Sequence, residues 1–383
     1  MTTHEQAEVP NSNETRPEFA FPHLGVRANE AALAGGYHSP QVVVETRLNT
    51  NEAPEGPPAA FLHELEEAVR GLHANRYPDR QALRLRSALA EQHGVVSEQV
   101  FCANGSNEVL QCLLLAYGGR QRAALLFEPT YALHSHIARI TGTRVVAGGR
   151  DDRWQVDLAG AETLLAAIEA DLGPDEPSIT MLCSPNNPTG GVEPPEIVAG
   201  LAEIVPGLLV VDEAYGQFAP NSALDLMPSY PHVVVVRTFS KTWAMAALRL
   251  GYLIAHPDVV RSCQQVALPY HLDALKQAAG ELALRHEPDM LDRVGRLVAE
   301  RSRVASALDS LAIEVWPSDA NFILFRLPGL ESAAVWQRLV EHSVLVRDVS
   351  GWPGLEGCLR VTIGTPAEND HFLGSLASVL AEG

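Results

Sequence analysis

The sequence predicts an α/β fold with a large domain built on a mostly parallel sheet and a smaller α+β domain built from both termini. Three observations predict it. Short, uniformly apolar runs alternate with helical patterns through the middle of the chain. Most of these runs end in polar segments rich in Pro, Gly, Asn or Asp. The last third becomes long and helical before closing on two strand-like runs.

The apolar runs are Ala123–Phe127, Arg144–Ala147, Ile179–Cys183, Leu208–Val211, Val233–Val236 and Leu250–Ile254. Most are too short and too uniformly apolar for surface helices, and they read as strands buried on both faces. Four of them end in EPTY (128–131), SPNNPTG (184–190), DEAY (212–215) and RTFSK (237–241). Open α/β sheets bind ligands at the carboxyl ends of their strands, so these segments describe one composite site. Pro57 and Pro58 start a helix through FLHELEEAVRGL, and Ser106 starts another with Val109, Leu110, Leu113 and Leu114 on one face. After residue 255 come helical ALKQAAGELALRH and LDRVGRLVAERSRVASALDSL, then strand-like NFILFRL and LRVTIGT. The expected division is a tail over 1–25, an arm over 26–60 joining the small domain, a large domain over 61–270 and a small domain over 271–383.

A chain of 383 residues suits two domains. Lys and Arg number 28 against 47 Asp and Glu, a formal net charge of −19. A field of that sign disfavours nucleic acid and anionic membrane surfaces, while a local arginine cluster can still hold a small anion. The five cysteines are scattered and never spaced C-x-x-C. That argues against a disulfide framework or a metal site and fits a reducing cytoplasm. The amino terminus is polar and acidic, unlike a signal or transit peptide, and no apolar run reaches the about 18 residues of a membrane span.

Only two lysines occur, Lys241 and Lys276, beside 26 arginines. Arginine keeps its proton and forms no imine, so imine chemistry must use one of these two. Lys276 lies within a predicted amphipathic helix and reads as solvated. Lys241 follows the run Val233–Val236 directly, at the ligand edge.

The neighbours of Lys241 match what pyridoxal 5′-phosphate (PLP) requires: an imine-forming lysine, an acid at the pyridine nitrogen, donors at the ring oxygen and a phosphate cradle. Asp212 ends an apolar run, where a carboxylate without a cationic partner is costly. It would keep the pyridine nitrogen protonated; capping a following turn is the alternative. Tyr215 and Asn187 can donate to the ring oxygen, although SPNNPTG also reads as a plain turn. Ser106 and Asn107 open a helix, whose amino terminus attracts phosphate, as an ordinary helix start would too. Thr238 and Ser240 add hydroxyls, and Arg249, eight residues after Lys241, adds charge. Tyr131 can stack on the ring, or be a core aromatic.

Together these residues resemble the class I/II aminotransferases of PLP fold type I, and within them the histidinol-phosphate aminotransferases. The resemblance rests on RLNTNEAPEGP (47–57), NRYPD (75–79), ANGSNEVLQ (103–111), FEPTYALH (127–134), SPNNPTG, VVDEAY (210–215), RTFSKTWAMAALRLGY (237–252), LPYHLDALKQAA (268–279), SDANFILF (318–325) and LRVTIGTPAEND (359–370). It implies that Lys241 is the Schiff-base lysine and proton shuttle. It further implies that Tyr77 reaches the cofactor phosphate of a second subunit, making a homodimer with shared sites. Arg360 would bind the acid group of the substrate, with Asn51 beside it. Arg347 and Tyr37 would help with the phosphate of histidinol phosphate, and glutamate or 2-oxoglutarate would be the other substrate. Two arginines converging on one anion suit a phosphate; an ion pair with Asp348 is the other reading of Arg347. Ala53 stands where the family often has Asn, and Ala247 near where it has Gly. Transamination of aromatic amino acids, or decarboxylation of a phosphorylated amino acid, remains open on the same scaffold. A ligand-sensing regulator domain would need a basic DNA-binding segment, which the acidic amino terminus is not.

Overall fold

Strands without a polar face must be covered on both sides, and the chain achieves this by winding helices over both faces of one sheet. The computed structural model describes residues 40–173, 178–311 and 313–382. The elements begin with β1 (Thr46–Arg47), α1 (Ala59–Arg70), α2 (Leu83–His93), β2 (Val100–Ala103), α3 (Ser106–Tyr117), β3 (Ala123–Phe127), α4 (Ala132–Ile140), β4 (Arg144–Gly148) and α5 (Leu158–Leu172). Next come β5 (Ile179–Cys183), α6 (Pro195–Ile204), β6 (Leu209–Asp212), β7 (Val233–Thr238), β8 (Gly251–Ile254), α7 (Pro257–Val266), α8 (Ala274–Arg285) and α9 (Glu287–Ser310). The chain closes with β9 (Glu314–Val315), β10 (Phe322–Arg326), α10 (Ser332–Glu341), β11 (Val344–Leu345), β12 (Arg347–Asp348), β13 (Cys358–Thr362) and α11 (Pro366–Ala381).

The central sheet has the order β2-β8-β7-β6-β5-β3-β4. All of its pairings from β4 to β7 are parallel, and β8 runs antiparallel to both its neighbours. Side chains divide with period two. Val210, Val234 and Val236 pack with Val109, Leu110 and Leu113 of α3 and Val259 and Val260 of α7. Leu209, Val211, Val233 and Val235 pack on the opposite face with Leu165 of α5 and Leu201 of α6. Each such side chain stabilises the fold by roughly 1.5–3 kcal/mol on burial.

Two details depart from the sequence reading. β4 lies at the sheet edge with Arg144 and Ala147 exposed, so it is not buried on both faces. β2, the four-residue VFCA, was not among the expected strands; it is pinned by β8, a partner more than a hundred residues away.

A second, antiparallel sheet has the order β12-β13-β10-β9, and β1 pairs in parallel with β11. That pairing ties the segment before α1 to the carboxyl-terminal third. α8 packs on α1 and α2, linking it to the amino-terminal helices. Among the described residues no helix is long and apolar enough to cross a membrane.

Gly251 opens β8 directly beneath the start of α3. A Cβ there would fall on the Ser106 amide nitrogen and the Gly105 carbonyl carbon, both backbone atoms. Gly251→Ala is therefore expected to destabilise the protein by about 1–3 kcal/mol through overpacking. Urea unfolding midpoints at unchanged m-value measure this; a wild-type midpoint would show that α3 lifts off the sheet without penalty.

Candidate active site

Because β3, β5, β6 and β7 run parallel, Glu128–Tyr131, Ser184–Gly190, Asp212–Tyr215 and Thr238–Lys241 all emerge at one edge. They surround a cavity of about 350 Å³, in the range of small-molecule sites.

Lys241 projects into this cavity, its Nζ donating to the Thr50 carbonyl at 3.0 Å and lying 5.9 Å from the Tyr215 ring centroid. Burial presses its ammonium down to about 7, Arg360 and Arg249 push the same way, and Glu52 opposes them. Lys276 instead pairs with Asp273 at the start of α8 and is largely covered rather than solvated.

Asp212 is buried at the end of β6. One carboxylate oxygen accepts from the Ala214 amide at 3.0 Å, and the other lies 2.9 Å from His134 Nε2. An ionised carboxylate only accepts, so His134 donates from Nε2. In the sequence, the only signal for His134 is its place three residues after Tyr131, on the first turn of α4. The two rings meet edge to face at 5.5 Å. The partner that a buried aspartate demands is thus supplied in part by the protein itself.

Asn187 is oriented by Arg360, whose Nη1 donates to its Oδ1. Arginine has no acceptor, so the amide nitrogen is the end Asn187 presents to the cavity. Tyr215 and Asn51 line the same wall, and Asn51 Nδ2 donates to the Tyr215 hydroxyl at 2.8 Å. Tyr131 lines the wall too, its hydroxyl 3.3 Å from Asn107 Oδ1.

Another part of the cavity lining groups donors suited to an anion. Ser106 and Asn107 occupy the first turn of α3 behind Gly105, at φ +83°. Thr238 and Ser240 join through their hydroxyls at 3.0 Å, and Arg249 reaches Ser240 Oγ at 3.3 Å. A Cβ on Gly105 would lie 2.8 Å from Arg249 Nη2, so the glycine lets the guanidinium approach the helix start. Backbone amides, two hydroxyls and one cation are groups that could hold a phosphate.

Arg360 is buried on the cavity wall, with Nη2 donating to the Asn49 carbonyl at 2.9 Å and its guanidinium 5.1 Å from the Phe322 ring centroid. Arg347 stands opposite Arg360 in the β12–β13 register and is also buried, though it does not line the cavity. Tyr77 is 80 % exposed, away from the cavity of its own chain, and stacks on Tyr270 with ring centroids 4.5 Å apart. Tyr37 lies outside the described residues. Among the described residues no His, Cys, Asp and Glu cluster is placed to hold a metal ion.

The family model for aminotransferase class I and II matches residues 44–376. The chain belongs to the class I and II aminotransferases. This aminotransferase is 46% identical to a histidinol-phosphate aminotransferase of Thermobifida fusca, over 92% of this chain and 96% of that one. It is 45% identical to one from Frankia casuarinae, over 90% and 87% of the two chains. Its fold is similar to that of a Sinorhizobium meliloti histidinol-phosphate aminotransferase in complex with pyridoxal-5′-phosphate: TM-score 0.81, 23% identity, 94% of this chain and 99% of that one. The cofactor of the aminotransferase is PLP. The cavity fits that group: its lining holds donors suited to a phosphate, a buried carboxylate and an amine.

A lysine lowered to about 7 is mostly neutral above that pH and protonated below it. The rate at which cofactor-free protein captures PLP should therefore rise about tenfold per pH unit below pH 7 and flatten above it. Stopped-flow absorbance across pH 5.5–10.5 tests this; a rise continuing to about pH 10 would mean that Lys241 keeps an ordinary lysine pKa.

Proposed function

We propose that this aminotransferase interconverts L-histidinol phosphate plus 2-oxoglutarate with imidazole-acetol phosphate plus L-glutamate, working toward histidinol phosphate in histidine biosynthesis. The observation that carries the reading is the arginine pair: Arg360 on the cavity wall with Arg347 opposite it in register. The names of the relatives at 45% and 46% identity support it. Two guanidiniums on one sheet face match the charge and geometry of a phosphate ester better than one does.

When bound, PLP supplies an electron sink for the charge left at the substrate carbon as its proton departs. The protein's residues do the rest. Lys241 would hold the cofactor through its Nζ and would move the proton, its near-neutral pKa suiting both directions. Asp212 holds a proton on the pyridine nitrogen, and His134 keeps its carboxylate in place. Asn187 and Tyr215 would donate to the ring oxygen, and Tyr131 would stack on the ring. Ser106, Asn107, Thr238, Ser240 and Arg249 hold the phosphate. Arg360 binds the anionic group of each substrate in turn, carboxylate or phosphate, and Arg347 adds its charge when that group is a phosphate.

The exposure of Tyr77 supports a homodimer in which this residue completes the partner's site. The arm before α1, joined to the carboxyl-terminal third through β1 and β11, would form the small domain, and the buried, unpaired cysteines suit a cytoplasmic protein.

Single-turnover mixing of the PLP form with L-histidinol phosphate, L-phenylalanine and L-threonine phosphate tests the substrate. Histidinol phosphate should react faster than phenylalanine by about 100-fold or more, the value of one to two charge-assisted hydrogen bonds. Equal rates would make the chain an aromatic aminotransferase, and release of CO2 from threonine phosphate would make it a decarboxylase. Sharing of sites is tested by co-expressing Lys241→Ala with Tyr77→Ala chains. Hybrid dimers should regain one intact site, with activity well above either parent; no gain would mean that each site is complete within one chain.

A further inference from the structure

Resting on the PLP reading of this cavity, we propose that Thr362 is a positioning residue that sets, through Asn51, the direction in which the Tyr215 phenol donates its proton. Three hydrogen bonds carry the inference. The Asn51 backbone N–H donates to Thr362 Oγ1 at 2.9 Å. Thr362 Oγ1 donates to Asn51 Oδ1 at 3.1 Å. Asn51 Nδ2 donates to the Tyr215 hydroxyl at 2.8 Å. All three residues are buried.

The chain of donors has a direction. Asn51 N–H has no acceptor role, so it occupies a lone pair of the Thr362 hydroxyl, and the hydroxyl proton points to the Asn51 carbonyl oxygen. That oxygen is then fixed toward Thr362, and the amide nitrogen faces Tyr215. A phenol that accepts from an N–H presents its own proton as a donor, which suits the cofactor's ring oxygen. Reversing the Asn51 amide would aim two N–H groups at Thr362 Oγ1 and turn the Tyr215 proton back toward Asn51, away from the cavity.

The backbone holds this arrangement in place. Asn51 sits at φ +54°, a left-handed conformation that Asn and Asp tolerate better than most residues. Its carbonyl accepts from Asn321 Nδ2 at 3.2 Å. Thr362 ends β13, two residues after Arg360 on the same face, and its amide donates to the Leu48 carbonyl at 2.9 Å.

The test reads the pH midpoint of the visible band of the PLP-bound enzyme. A donor on the ring oxygen competes with the proton shared between that oxygen and the Lys241 nitrogen. Losing the donor strengthens the hold on that proton, and the midpoint rises. Thr362→Val, which keeps the shape and removes the hydroxyl, should raise the midpoint by about 0.5–1 unit, the size of one hydrogen bond. Thr362→Ser should restore the wild-type value. Asn51→Asp, whose carboxylate can only accept from Tyr215, should raise the midpoint as well. In a Tyr215→Phe background Thr362→Val should add no shift. A wild-type midpoint in Thr362→Val, or the same shift with and without the Tyr215 hydroxyl, overturns the relay while the cofactor reading stands. A wild-type protein with no visible band overturns both.

Discussion

Everything in the site depends on β5, β6 and β7 being buried on both faces. A strand with no polar side must be sandwiched between helices, and parallel neighbours require the chain to return across the sheet before each new strand. All of these strands then finish at the same edge, the first place where polar residues are tolerated. Asn187, Asp212 and Lys241 come from three separate strand ends and are neighbours for that reason alone. The valines that divide by period two between the helical layers hold those strand ends in register.

The second sheet contributes a different element, charge. Arg347 and Arg360 face each other across an antiparallel pair, and Arg360 reaches over to Asn187 on the first sheet. Its guanidinium is held by the Asn49 carbonyl and rests against Phe322, so it is committed before any substrate arrives. Placing rigid donors where charge will sit avoids reorganisation at the moment of reaction. The segment Asn49–Glu52 is where the two sheets meet, and Thr50, Asn51 and Glu52 each touch the cavity.

The electrostatics of the cavity run against those of the whole molecule. The chain carries a net charge of −19, yet Lys241, Arg249 and Arg360 line the cavity, where the acids are Asp212, held by His134, and Glu52. Burial, with the local excess of cations adding to it, lowers the Lys241 pKa. The amine is thereby reactive at neutral pH without a dedicated base beside it.

Local chemistry made a good part of this legible. Runs such as Ile179–Cys183 and Ala123–Phe127 match strands because burial on both faces leaves a contiguous apolar mark, and Ser106 begins its helix as its place after Asn104–Gly105 suggests. The rarity of lysine marked Lys241, and the turns after each strand marked Asp212, Tyr215 and Asn187, because residue type and position after a strand are local properties. The edge exposure of β4, the strand β2, the His134 bond to Asp212 and the inward commitment of Asn51 left no such mark. Asn51 and Thr362 are 311 positions apart, and the pairing of β1 with β11 and the bond from the Thr362 amide to the Leu48 carbonyl bring them together. By itself the sequence determined which chemical groups are present and which strand ends carry them. The tertiary structure decided which donor faces which acceptor, because hydrogen-bond direction depends on distances between segments that no local pattern encodes.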